Sequence, residues 1–203
     1  MAALFYHQGI LEWSYPYARL NIKQIRHRVW QRVNTKPCHL PRNHIILSVF
    51  MLIIVSGLSL GYGFPSQFLF LSLPKHFHAD LIIDFIFTFF WPGLFEELVY
   101  RAVFLRLPSE CNGRLRPPKT DQIAITLTFL VYHLDTWHSN PVFRDIRFLL
   151  LAFVLGVGLL ELTIRVQVIW PGVIIHWLTV YLWLEFNGGH CYMWIGQIAG
   201  QAI

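Results

Sequence analysis

After position 44 the sequence passes through five apolar stretches, at about 45–62, 81–105, 122–137, 146–164 and 166–186, most of them close to the roughly 20 residues a helix needs to cross the hydrocarbon core. Only 13% of the 203 residues are charged and 55% are hydrophobic, against about a quarter charged in an average soluble domain. The pattern predicts an all-α fold: a polytopic transmembrane helical bundle of about five spans, preceded by a basic amphipathic helix. The last two stretches are parted only by a polar step around Arg165 and Gln167. The chain divides into a basic, partly amphipathic cytoplasmic or interfacial segment (1–43), the transmembrane bundle (44–186) and a short apolar tail (187–203).

Charge refines this picture. Sixteen Lys and Arg stand against eleven Asp and Glu, a net +5, and Arg19, Lys23, Arg26, Arg28, Arg32, Lys36 and Arg42 all precede the first apolar run. Such a local excess suits the anionic lipid of a membrane surface and argues against nucleic acid as a partner. Ile22, Ile25, Val29 and Val33 recur at helical spacing among these charges, as in a helix that lies in the headgroup plane or packs on its own bundle. Arg106, Arg114, Arg116 and Lys119 make a second basic loop, so the amino terminus and this loop are both expected on the cytoplasmic side. No cleavable signal is expected at the start. Cys38, Cys111 and Cys191 lack the spacing of a disulfide framework or a zinc knuckle.

Against that apolar background the ionisable residues stand out, because a charge at the centre of a spanning helix costs roughly 3 kcal/mol on insertion scales. In "WPGLFEELVYR" Glu96 and Glu97 are adjacent, hence about 100° apart on a helix. Glu97 and Arg101 are four apart and can pair, which leaves Glu96 without a local cationic partner. His133 and His176 lie in two later apolar stretches. Counted by helical rise from the cytoplasmic end of each span, Glu96, His133 and His176 all fall about 15 to 18 Å deep. One carboxylate and two imidazoles in one layer can make a single site.

These residues resemble the motifs of the CAAX-processing and bacteriocin-processing intramembrane proteases, the CPBP or Abi family, which are of glutamic type. EExxxR corresponds to Glu96, Glu97 and Arg101, FxxxH to Phe129 and His133, and the histidine of the third motif to His176. The resemblance runs from about residue 80 to 186. It implies an intramembrane endopeptidase in which Glu96 acts as general base on a water, His133 helps to hold that water, and His176 stabilises the oxyanion. Glu97 with Arg101 would support the helix. The family's third motif usually closes as HxxxN, but here the fourth residue after His176 is Val180; Thr179, one position earlier, offers a hydroxyl in its place.

The implied substrate is a membrane-associated protein or peptide. No cofactor is favoured, although zinc held by Glu96, His133 and His176 is chemically possible. A second reading, prompted by Val180, is a catalytically inactive scaffold or assembly factor within a larger membrane complex. A third has the two imidazoles ligating haem or a pigment. The sequence assigns no role to the remaining histidines, His190 among them, and leaves Asp84 near the outer interface.

Overall fold

The computed structural model describes residues 21–34, 42–71, 78–134 and 140–191. Expectations for the first twenty residues, for Cys38 and for most of the apolar tail fall outside them. All regular structure among the described residues is helical. The elements are α1 (Ile22–Asn34), α2 (Arg42–Gly63), α3 (His78–Thr88), a π-helical turn interrupted at Trp91 (Phe89–Leu94), α4 (Phe95–Glu97), a second π-helical stretch (Leu98–Val103), a 3-10 turn (Pro108–Cys111), α5 (Lys119–Leu134), another 3-10 turn (Pro141–Arg144), α6 (Ile146–Val166) and α7 (Trp170–Phe186). Two helices contain segments long and apolar enough to cross a membrane, Ile46–Gly63 in α2 and Ile146–Val166, which is α6.

Many large apolar side chains are displayed outward while several charged ones are held inside, the reverse of a water-soluble domain. Ile82, Ile83, Ile86 and Phe87 of α3 and Val49, Phe50 and Ile53 of α2 are exposed, whereas Glu96, Glu97, Arg101 and His176 are each at most 3% exposed. Contiguous apolar surface of this kind fits a lipid environment. The core has two main parts. Val55 of α2 packs with Leu155, Leu159 and Leu162 of α6 and Ile175 of α7, and Tyr100 and Leu105 pack with Ile125 and Phe129 of α5 and Leu160 and Ile164 of α6.

The sequence predicts one continuous element over 81–105, but the structure breaks it. Trp91 is extended (φ −139°, ψ 112°) ahead of Pro92, because the proline ring excludes the helical conformation from the residue before it and removes one backbone donor. The chain resumes as α4 and then widens, with the amide of Phe104 donating five residues back to the Val99 carbonyl. Such π-helical turns concentrate at functional sites.

α6 starts on a side-chain cap: Asp145 accepts from the Arg147 amide at 2.8 Å. The Arg147 guanidinium grips the same carboxylate, and this hydrogen bond holds the Asp145 carboxyl below the usual carboxylate range.

α1 is oriented by its arginines. Val29 and Val33 pack beside Ala102, Ile169 and Val173, but Arg28 and Arg32 are buried as well, 5% and 0% exposed. Arg28 donates to the Val103 carbonyl at 2.8 Å and to both oxygens of Glu110. Arg32 donates to the carbonyls of Leu105 and Arg106. A helix end leaves carbonyls without partners, and these two guanidiniums supply the donors for the segment that carries Glu96. Burial pushes the Arg32 guanidinium down to about 10. Lys23, Arg26 and Trp30 remain exposed.

Candidate active site

The single turn of α4 holds Glu96 and Glu97 between the proline break and the second π-helical stretch. Glu97 lies 3.2 Å from Arg101, with both side chains sealed from solvent. Arg101 also donates to the Gly156 carbonyl of α6 at 3.2 Å, and its guanidinium sits 4.7 Å from the centre of the Phe129 ring, a cation–π arrangement.

His176 enters from α7 and lies between the two glutamates. Its Nδ1 is 3.0 Å from Glu97 Oε1, and its Nε2 is 3.7 Å from Glu96 Oε2. Helical phase alone sends the two glutamates in different directions, and on their own helix it does; a ring from a facing helix occupies the angle between them and reaches both. The Glu97 contact makes Nδ1 the donor atom and turns Nε2 to Glu96. Glu96 Oε2 is buried and accepts no hydrogen bond from the described residues.

α7 comes this close because two glycines permit it. A Cβ at Gly172 would lie 3.0 Å from Glu97 Oε2, and one at Gly93 would lie 3.0 Å from both the Thr88 carbonyl oxygen and Trp177 Cβ. Sequence reasoning attached no role to either. The signal was present in the triplet Trp-Pro-Gly, which occurs at 91–93 and again at 170–172.

His133 is buried on α5 and donates from Nδ1 to the carbonyl of Phe129, one turn earlier, at 2.8 Å. A carbonyl oxygen only accepts, so Nδ1 carries the proton and, in the neutral ring, Nε2 carries the lone pair. The Phe129 ring links the two histidines, with centroids 4.6 Å from His133 and 6.1 Å from His176. Tyr100 meets the same ring edge-on at 5.2 Å.

Thr179, the residue expected from the sequence to offer a hydroxyl in place of the one missing at Val180, lies on α7. Its hydroxyl donates to the Ile175 carbonyl of its own helix at 2.7 Å, the usual resting place of a threonine inside an apolar helix.

A family model for type II CAAX prenyl endopeptidase Rce1-like proteins matches residues 78–182. No curated protein and no solved structure matched the chain. The matched segment contains the buried Glu96, Glu97 and Arg101, the Phe129–His133 turn and His176, and it covers more than half of the 203 residues; the chain belongs to the Rce1-like family of type II CAAX prenyl endopeptidases, a family of membrane-embedded proteases.

Proposed function

We propose that the chain is an intramembrane endopeptidase that hydrolyses a peptide bond in a membrane-associated protein or peptide, with water activated by Glu96. The observation that carries this reading is the placement of His176 between the glutamates, Nδ1 on Glu97 and Nε2 towards Glu96. Glu96 takes a proton from water, and the water oxygen attacks the scissile carbonyl. The oxyanion that forms accepts a hydrogen bond from His176 Nε2–H, present when the ring is doubly protonated. Collapse of the tetrahedral species expels the amine, which takes the proton from Glu96. In this reading His133, held by its hydrogen bond to the Phe129 carbonyl, helps to hold the water. The step needs no metal or other cofactor.

In this reading five apolar segments cross the bilayer, with the amino terminus and the 106–119 loop on the cytoplasmic side, and the exposed Lys23 and Arg26 of α1 face anionic lipid. The test is cleavage of membrane-anchored peptides by purified protein: wild type cleaves, and Glu96→Gln and His133→Ala do not while remaining folded. A wild type inert towards every peptide offered sinks the reading.

Val180, together with the engagement of the Thr179 hydroxyl by Ile175, favours a second reading in which the bundle serves as a non-catalytic partner in a larger membrane complex. In that case Glu96→Gln complements a deletion strain as well as wild type does.

A further inference from the structure

A second polar cluster, part-buried and centred on one buried carboxylate, lies at the far end of α7. Glu185 is 2% exposed although it stands near the end of an apolar helix, and its Oε1 is 2.8 Å from His190 Nε2. The same Nε2 is 3.3 Å from Asp84 Oδ2 on α3. One donor atom from each residue can be chosen so that all three lie within 4.8 Å of one another. Glu185 Oε2 is buried and accepts no hydrogen bond from the described residues. Two carboxylates thus share one imidazole, with a sealed acceptor oxygen left over, and a buried charge in that condition is costly.

The turn that brings His190 here is built for the purpose. After α7 the chain reverses through Gly188, whose φ of +85° lies in the left-handed region, and a Cβ there would meet the Phe70 ring at 2.5 Å. At Gly189 a Cβ would fall 2.7 Å from the Leu184 Cα. Only a residue without a side chain fits both positions. The sequence "EFNGGH" therefore folds back on itself and sets the imidazole over the carboxylate five residues earlier.

Imidazole nitrogen with carboxylate oxygen is a usual donor set for zinc. Ligands bonded at 2.0–2.1 Å in a tetrahedron stand about 3.3 Å apart; Asp84 and His190 already have that separation, and Glu185 and His190, hydrogen-bonded at 2.8 Å, would part slightly to admit the ion. We propose that Asp84, Glu185 and His190 form a divalent-cation site, best suited to zinc, that fastens α3 to the C-terminal end of α7. By helical rise the site is about 14 Å along α7 from His176, so it is separate from the cluster around Glu96. It ties α7, the helix that carries His176, to α3, the helix that leads into the proline break ahead of Glu96. Zinc binding here neither requires nor implies peptide cleavage, so this inference and the protease reading fail separately.

The experiment uses the full chain purified in detergent, stripped with a chelator, loaded with zinc chloride, and passed through gel filtration before metal analysis and thermal unfolding. Wild type is expected to retain one zinc per chain and to unfold at a higher temperature once loaded. Asp84→Asn, at a half-exposed position, and His190→Ala are expected to lose both the metal and the zinc-dependent shift. Glu96→Gln is expected to keep both. The proposal is overturned if wild type elutes without metal, if Asp84→Asn and His190→Ala hold as much zinc as wild type, or if Glu96→Gln is the variant that loses it.

Discussion

His176 touches Glu97 through Nδ1 at 3.0 Å while its Nε2 faces Glu96, so the glutamate paired with Arg101 also sets the orientation of the imidazole. Glu97 is thus a positioning residue with two tasks, and they can be separated. Glu97→Gln leaves the buried Arg101 without its counter-charge and is expected to cost about 3–5 kcal/mol, seen as a large fall in Tm. Glu97→Gln combined with Arg101→Met is expected to recover much of that stability without restoring turnover, because the ring has still lost its carboxylate. Full recovery of cleavage in the double variant would show that Glu97 acts on stability alone.

The Phe129 ring lies between the two histidines and against Gly156, where a Cβ would approach its Cδ1 to 2.9 Å. Gly156→Ala is expected to destabilise by about 1–3 kcal/mol, the usual cost of overpacking a tight core, and to lower kcat through displacement of both imidazoles. Adding Phe129→Leu, which frees space at that contact, is expected to return part of the lost Tm. An unchanged Tm in Gly156→Ala would mean that the ring shifts freely and holds neither histidine.

With its hydroxyl on the Ile175 carbonyl, Thr179 is expected to tolerate replacement by valine with turnover nearly unchanged. Removal of an oxyanion donor typically lowers kcat about 100- to 1,000-fold. A loss of that size in Thr179→Val, with Tm preserved, would show that the hydroxyl leaves Ile175 during the reaction and replaces the polar residue absent at Val180.

Asp145→Ala removes the cap of α6 and is expected to cost about 1 kcal/mol. The folded carboxyl titrates below its ordinary value because of Arg147, so its contribution is complete above about pH 4, the unfolded pKa, and is lost as pH falls through the lower folded value. Unfolding of wild type and variant in detergent should therefore differ at pH 7 and converge under strongly acid conditions. A constant difference across that range would remove the carboxylate from the explanation.

The positions of the helices were readable because long apolar runs leave few alternatives, and the five stretches anticipated in the sequence fall on α2, on α3 to the second π-helical stretch, and on α5, α6 and α7. The break at Trp91–Pro92 was readable in principle from the proline, but the apolar run across it masks the signal. The shared contact of Glu96 and Glu97 with His176 was not readable, because helical phase describes one helix and the ring belongs to another. Arg28 and Arg32 look like headgroup ligands in a basic stretch, and nothing local shows that they face carbonyls more than seventy positions away. Asp84, Glu185 and His190 could not be joined from the sequence, because no motif spacing links a residue of α3 to the turn after α7.

The arginine contacts of α1 also bear on what the smallest working unit of this protein is. The family segment begins at residue 78, yet carbonyls at 103, 105 and 106 take their donors from Arg28 and Arg32. A chain cut to the matched residues would carry the whole EExxxR, FxxxH and histidine set and still have an open helix end directly beyond Arg101. The borders of sequence similarity and of mechanical integrity therefore do not coincide, and α1 belongs to the folded unit even though it lies outside the segment by which the family is recognised.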